Sequence, residues 1–231
     1  MLTVFLPCRS GSERVPEKNT KPFAGVDGGL LTIKLIQLLK VNLIDRIILS
    51  TNDIKVIEIA NKISGRIIID KRPEVLARSS TSTDDLIKYV PTIISEGHVL
   101  WTHTTSPFLT HEIYDKAISS YFNNLNEGLN DSLMTVNKLQ TFLWNENGSF
   151  NYNRKDEKWP RTQTLKELFE INSGMFISSI NNYQKFEDRI GKNPFLMSSK
   201  GYTSFDIDWP EDFELGEMIY RKLYNDEFNN L

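Results

Sequence analysis

Residues 3–25 read TVFLPCRSGSERVPEKNTKPFAG, and this stretch decides the fold. Its opening apolar run, residues 3–6, predicts a buried β-strand. Four basic side chains follow beside Gly11, namely Arg9, Arg14, Lys18 and Lys21. A polyphosphate needs several cationic donors, and a small residue lets backbone N–H groups reach its oxygens. The pattern indicates a phosphate-binding loop without the P-loop spacing, although a solvated basic loop explains it equally well at this point.

Outward from this stretch, strands and helices alternate. Periodicity predicts further strands at 46–49, 66–69, 98–101, 133–136 and 175–177, and helices at 31–43, 54–63, 84–95, 111–122 and 211–228. Such alternation is typical of an α/β fold, in which a mostly parallel sheet has helices on both faces. Ligands of these folds bind outside the carboxyl ends of the strands. We therefore expect the site in the loops that follow strands.

Residues 138–170 break the alternation, because they are rich in Asn, Lys and aromatic residues. Short alternating runs at 141–144 and 149–152 flank the turn-forming residues 146–148 and predict a β-hairpin. We interpret 138–170 as an inserted subdomain of a single domain that spans residues 1–231. A projecting aromatic hairpin suits a subunit interface, and a mobile surface loop is the alternative.

Composition excludes several classes of protein. The 231 residues are 39% hydrophobic and 25% charged, which fits one globular domain. A net charge of −3 without a long basic run argues against a nucleic-acid binder. The single cysteine, Cys8, excludes an internal disulfide or a cysteine-built metal cluster. No membrane span or signal-peptide pattern is evident, so we expect a cytoplasmic protein without a membrane partner.

A second motif lies near the carboxyl end, in SFDIDWPEDF at residues 204–213. Asp206 and Asp208 are two positions apart, so on an extended backbone they point to the same side. Paired carboxylates suit Mg²⁺, which usually takes one or two of them with phosphate oxygens and water. Spacing alone favours another interpretation, in which Asp208 or Asp212 caps the following helix.

The opening motif RSGSERVPEKN, residues 9–19, resembles that of the CMP-sialic acid synthetases, the acylneuraminate cytidylyltransferases. These synthetases also carry a D-x-D motif followed by a helix, and the resemblance therefore favours the interpretation of Asp206 and Asp208 as a metal site. The resemblance implies a Rossmann-like, GT-A-like nucleotidyltransferase fold and a homodimer. It also implies a Mg²⁺-dependent reaction that joins CMP from CTP to a sialic-acid-like 3-deoxy-2-ulosonic acid and releases pyrophosphate, for surface polysaccharide or glycan synthesis.

The resemblance also implies roles for individual residues. On the nucleotide side, Arg9 and Lys18 would neutralise the phosphates during catalysis, and Asp206 and Asp208 would bind the metal. The remaining nucleotide contacts would come from Ser10, Gly11, Ser12, Asn19, Arg72 and Ser82. The acceptor sugar would contact His103, Thr104, Arg161, Asn172 and Ser173.

The chain departs from the family pattern at three places. His103 stands where relatives have a sugar-contacting glutamine, and Ser80-Thr81 stands where they commonly have Asp-Thr. The arginine that precedes the Asn-Gly pair in sialic acid synthetases is also missing. Because a carboxylate substrate favours a cation, Arg161 or Lys166 would have to supply it, or the sugar is bound differently.

Three other functions remain as alternatives. A CMP-Kdo synthetase would have the same fold, but the motif at residues 9–19 fits the sialic acid branch better. A non-catalytic nucleotide-binding protein of a polysaccharide pathway is disfavoured by the presence of both motifs. A sugar-1-phosphate nucleotidyltransferase would show a longer glycine-rich G-x-G-T-R loop, which this sequence lacks.

Overall fold

A computed structural model describes residues 1–224 and shows a seven-stranded sheet with strand order β3-β2-β1-β4-β8-β5-β9. The strands are β1 Leu2–Pro7, β2 Arg46–Thr51, β3 Ile67–Lys71, β4 His98–Thr102, β5 Ser132–Leu139, β8 Leu168–Ser179 and β9 Pro194–Ser199. Strand β8 runs antiparallel to both of its neighbours, and the other pairings are parallel. The prediction of a mostly parallel α/β sheet is confirmed.

The helices cover both faces of the sheet, as the alternation predicts. They are α1 Gly29–Leu39, α2 Ile54–Ile63, α3 Thr83–Ile93, α4 His111–Asn126, α5 Ile180–Phe186 and α6 Pro210–Tyr224. One core cluster joins the sheet to α1, α2 and α4, and a second joins it to α3 and α5. Because both faces are covered, β1 is buried along nearly its whole length, which explains its continuous apolar sequence.

Helix α1 ends at Leu39 rather than at residue 43, and three further elements differ from the sequence-based prediction. Strand β8 is much longer than residues 175–177, and neither α5 nor β9 is predicted. Strand β9 lies at the sheet edge and is only partly buried, so its sequence carries little of the apolar signal of a central strand. The last helix is described to Tyr224, and the rest of the predicted helix 211–228 lies outside the described residues.

The hairpin predicted within residues 138–170 is present. Strands β6, Trp144–Asn145, and β7, Gly148–Ser149, pair antiparallel in a small sheet of their own, separate from the main sheet. The large side chains of Trp144, Phe150 and Trp159 around it are exposed. Within residues 1–224, no helix is long and apolar enough to cross a membrane.

Candidate active site

The basic loop follows β1 at the carboxyl edge of the sheet and is hydrogen-bonded to the end of the neighbouring strand β2. Cys8 N donates to Ser50 O at 2.9 Å, and Ser10 N donates to Asn52 Oδ1 at 3.0 Å. Gly11 adopts φ 71°, a left-handed conformation that a side chain would disfavour. These contacts place the loop at the edge where ligands of parallel sheets bind.

The loop forms one wall of a cavity of about 390 Å³. Its lining residues are Pro7, Cys8, Arg9, Ser12, Glu13, Arg14, Val15, Lys18, Asn19, Ser79, His103, Thr104 and Thr105. Three of the four basic residues of the loop thus face the cavity. The fourth, Lys21, packs its Nζ atom over the ring of Phe213 at 3.7 Å, on the side of helix α6.

Lys18 joins the two motifs that the sequence places far apart. Its Nζ atom donates to Ile207 O at 2.7 Å and lies 3.3 Å from Asp208 Oδ1. The same carboxylate oxygen accepts from Arg14 Nη2 at 3.1 Å. Two cations and one carboxylate therefore meet beside the basic loop, at the rim of the cavity.

Asp206 is the second carboxylate of this motif, and part of it has no partner. Its Oδ1 atom is buried and accepts no hydrogen bond from the residues that the structure describes. Burial raises the pKa of Asp206, with a further contribution from the negative charge of Asp208. A hard divalent cation beside both carboxylates would satisfy that oxygen and favour its ionised form, so the residues present fit Mg²⁺. Residues 1–224 contain no cluster of three or more possible metal ligands, and phosphate oxygens and water would complete the coordination.

The interpretation that an aspartate of this motif caps the following helix is confirmed for Asp212 and not for Asp208. The Oδ2 atom of Asp212 accepts from Trp209 N at 2.8 Å and from Asp208 N at 3.0 Å, directly before helix α6. Asp212 is the capping residue, and the carboxylates of Asp206 and Asp208 are left for other contacts. These two lie in an irregular segment after a 3₁₀ turn rather than on the extended strand assumed from their spacing.

His103 and Thr104 follow β4 and face the cavity. Trp101 Nε1 donates to His103 Nε2 at 3.1 Å, so the remaining proton of the neutral ring lies on Nδ1. Burial lowers the pKa of His103 to about 3, and the ring is neutral near pH 7. Thr104 Oγ1 donates to Asn19 Oδ1 at 2.7 Å and connects β4 to the basic loop.

A second cavity, of about 320 Å³, lies on the other side of the aspartates. Its lining residues are Asn137, Glu170, Ile171, Asn172, Ser173, Ser204, Asp206 and Asp208. Asn172 Nδ2 donates to Asn137 Oδ1 at 2.8 Å, and Ser173 adopts φ 56°. Amide, hydroxyl and carboxylate groups suit the hydroxyl groups of a sugar. Asn137, Glu170 and Ser204 are not among the sequence-based candidates. The pairing of β5 with β8 brings Asn137 opposite Glu170, and Ser204 ends the 3₁₀ turn that precedes the aspartates.

Arg72 and Ser82 do not line either cavity. The buried Arg72 side chain donates through Nε to Ser50 Oγ at 3.0 Å and through Nη2 to Ser50 O at 2.6 Å. Ser82 forms a capping box with Asp85 at the start of α3. Ser79, nearby in the chain, lines the first cavity instead.

Arg161 and Lys166 also lie apart from both cavities. Both side chains are exposed on the segment that follows the hairpin. Cys8 is buried, and burial raises the pKa of its thiol to about 12. It is a protonated packing residue and unsuited to nucleophilic attack.

A comparison with known proteins gives consistent results. The sequence model of a family described as cytidylyltransferase matches residues 3–228. Two proteins named pseudaminic acid cytidylyltransferase, from two strains of Campylobacter jejuni, are 24% and 25% identical over 233 aligned residues. Each alignment covers 97% of this chain and 98% of the relative.

Solved structures share the fold at low sequence identity. A CMP:2-keto-3-deoxy-manno-octonic acid synthetase complexed with CTP aligns with a TM-score of 0.66 and 13% identity, covering 96% of this chain and 98% of the other. A 4-diphosphocytidyl-2C-methyl-D-erythritol synthase from Anaerococcus prevotii aligns with a TM-score of 0.65 and 17% identity, covering 95% and 96%.

Proposed function

The chain belongs to the cytidylyltransferase family, and we propose that it transfers CMP from CTP to the anomeric hydroxyl of a sialic-acid-like 3-deoxy-2-ulosonic acid. One observation carries the proposal at the level of residues. Lys18 of the basic loop and Asp208 of the distant aspartate pair lie 3.3 Å apart at the carboxyl edge of the sheet. Cations for a polyphosphate and carboxylates for a metal thus meet at one site.

The reaction needs no covalent enzyme intermediate. The anomeric hydroxyl oxygen of the acid attacks the α-phosphorus of CTP and loses its proton. At the same time the bond between that phosphorus and the oxygen of the leaving pyrophosphate breaks. Positioning and charge neutralisation dominate such phosphoryl transfers. Arg9 and Lys18 line the first cavity and would take up charge on the pyrophosphate, while Ser10, Gly11 and Ser12 supply the bend of the loop.

Asp206 and Asp208 are the residues that would hold Mg²⁺. When bound, the ion would reduce the charge on the phosphates and lower the pKa of the attacking hydroxyl group. Lys18 and Arg14 orient Asp208 through their contacts with Oδ1, which keeps its carboxylate at the boundary between the two cavities.

The acceptor sugar would contact Asn172 and Ser173, which line the second cavity, and reach His103 and Thr104, which line the first. The second cavity offers polar groups for its hydroxyls, and both aspartates line that cavity, so an acceptor there lies beside the proposed metal position. The relatives that align over nearly the whole chain are named for pseudaminic acid. Pseudaminic acid is therefore the first acceptor to test, for a product used in surface polysaccharide or glycan synthesis.

We further propose that the protein is a cytoplasmic homodimer in which the hairpin forms part of the interface. The side chains of Trp144, Phe150 and Trp159 all lie on one segment, and 55%, 63% and 67% of their surfaces are exposed. Arg154 lies 5.3 Å from the ring centroids of both Trp144 and Trp159. Clustered aromatic and arginine side chains are typical of the centres of protein interfaces.

Pyrophosphate release tests the proposed function. The protein is incubated with CTP, Mg²⁺ and a panel of ulosonic acids that includes pseudaminic acid, N-acetylneuraminic acid and Kdo. We expect release with a nine-carbon acid and none in Asp208→Ala. Release with Kdo alone would instead favour the CMP-Kdo synthetase alternative. CTP binding without release across the panel would support the non-catalytic alternative.

A further inference from the structure

Arg189 follows helix α5, and its guanidinium packs against two aromatic rings. Its Cζ atom lies 3.7 Å from the ring centroid of Phe176 and 5.0 Å from that of Trp101. These two residues are directly opposed on β8 and β4. Because Trp101 is the penultimate residue of β4, the guanidinium lies close to the edge of the sheet where the site is formed.

Within residues 1–224 the guanidinium forms no ion pair, although the negative charge of the adjacent Asp188 favours its charged form. Across the described chain, no hydrogen bond or ion pair joins Arg189 to another residue. The adjacent Asp188 directs its Oδ1 atom to Ile190 N, at 3.3 Å. Burial lowers the pKa of Arg189, although a guanidinium stays charged at neutral pH. A partly buried cation that is not hydrogen-bonded to a carboxylate is unfavourable for stability, and such groups are characteristic of ligand-binding sites.

Trp101 connects Arg189 to the first cavity. Its indole donates to His103 Nε2 at 3.1 Å, and His103 lines that cavity. The positive charge of Arg189 contributes, after burial, to the low pKa of His103, which places the two groups near each other. Two donors therefore lie around the indole of Trp101: the planar guanidinium of Arg189 and the neutral N–H group of His103.

The reaction under "Proposed function", on which this inference rests, requires a cation for the acceptor. An ulosonic acid carries a carboxylate on the carbon that bears its reacting hydroxyl. Arg14 and Lys18 contact Asp208, and Arg9 faces the phosphate side. None of Arg161, Lys166 and Arg189 lines either cavity. Arg161 and Lys166, the sequence-based candidates, are exposed on the segment that follows the hairpin. Arg189 instead lies against Trp101, whose indole contacts His103 of the first cavity.

We propose that Arg189 binds the carboxylate of the ulosonic acid, and that His103 donates from Nδ1 to the same substrate. The guanidinium presents two parallel N–H donors to a carboxylate, which a lysine does not. The faces of Phe176 and Trp101 hold the guanidinium plane in position. Arg189 is thereby a specificity-determining residue that selects 2-ulosonic acids over neutral sugars.

Steady-state kinetics of Arg189→Gln and Arg189→Lys test the assignment, with CTP and the acid varied separately. We expect Arg189→Gln to raise the KM for the acid roughly 10- to 100-fold, the effect of losing a charged hydrogen-bond pair, and to leave the KM for CTP within about 2-fold. Arg189→Lys retains a cation, is expected to fold, and should show a smaller increase. Lys185→Gln is the matched control, because Lys185 is an exposed cation of the same segment and lies over Phe186.

A second comparison uses the carboxamide of the acid as substrate. The wild-type enzyme should prefer the acid over its carboxamide roughly 10- to 100-fold, and the Arg189 variants should lose most of that preference. An unchanged preference would overturn the proposal, as would a rise in the KM for CTP alone or a lower Tm with unaltered kinetics. If the wild type releases no pyrophosphate, the proposed function fails. Calorimetry of the acid binding to the complex of protein and CTP still tests Arg189, because the Kd for the acid does not depend on turnover.

Discussion

The nucleotide side and the hairpin side of this molecule are organised in different ways. The basic loop is tied to distant parts of the chain through contacts such as Lys18 with Ile207 and Asn19 with Thr104. The hairpin segment is tied mainly to itself, for example by Trp144 Nε1 donating to Tyr152 at 2.8 Å. The first region is therefore held in place by residues from distant parts of the chain, whereas the second leaves aromatic side chains exposed, on the surface that we propose as the dimer interface.

The largest expected effect is at the aspartate pair on the nucleotide side. Asp208→Asn and Asp206→Asn should each lower kcat about 10²- to 10³-fold, because a charged group that stabilises the transition state is lost. Asp212→Asn is the matched control. It should cost about 1 kcal/mol of unfolding free energy, as a weakened helix cap, with kcat nearly unchanged. Equal kcat losses at Asp212 and Asp208 would show that the segment acts only through its fold.

Lys18→Met should raise the KM for CTP roughly 10- to 100-fold, because it removes a cation from the phosphate side and releases Asp208. Lys55→Met is the control, because Lys55 is an exposed cation that pairs with Glu17 of the same loop at 2.8 Å. Isothermal titration of CTP separates binding from turnover. An unchanged Kd for CTP in Lys18→Met would argue against Lys18 as a phosphate ligand.

His103→Ala should lower kcat/KM for the acid about 10-fold, whereas His103→Gln should retain most activity because it keeps an N–H donor. The pKa of about 3 predicts that activity does not fall as pH rises through 6 to 7, where an ordinary histidine loses its proton. A loss of wild-type activity in that range that is absent from His103→Gln would show that the protonated ring acts.

Asp206 should make the Mg²⁺ requirement of the reaction depend on pH. Its raised pKa means that protons compete with Mg²⁺ for the carboxylate as pH falls, so the Mg²⁺ concentration for half-maximal activity should rise toward acid pH. The measurement is Mg²⁺ titration at several pH values. A half-saturating concentration that is constant from pH 5 to 8 would contradict the assignment of Asp206 as a ligand.

The smallest effect on folding is expected at the hairpin. Trp159→Ser removes a side chain that is 67% exposed, so the unfolding free energy should change by less than about 0.5 kcal/mol. If the hairpin forms the dimer interface, the same change should shift the protein toward monomer in analytical ultracentrifugation. A wild-type protein that is monomeric at micromolar concentration would exclude the dimer proposal.

Much of the fold was predictable because its signal is local. Periodicity located β1, α2 and β4 to within one or two residues, since each has a covered face with a regular apolar pattern. Strand β9 was missed because it is an edge strand with partly exposed side chains. For the proposed site, the motifs predict Arg9, Lys18, Asp206 and Asp208, but the sequence leaves open how these residues lie relative to one another.

By itself, the sequence determined the α/β class, the basic loop after the first strand, and the family, because these depend on short-range patterns and on motif spacing. Only the tertiary structure decided that Lys18 meets Asp208, that Asp212 rather than Asp208 caps α6, and that Arg189 lies over Phe176 beside Trp101. Contacts across 190 residues depend on strand order and on how helices cover the sheet, and no local pattern encodes either of them.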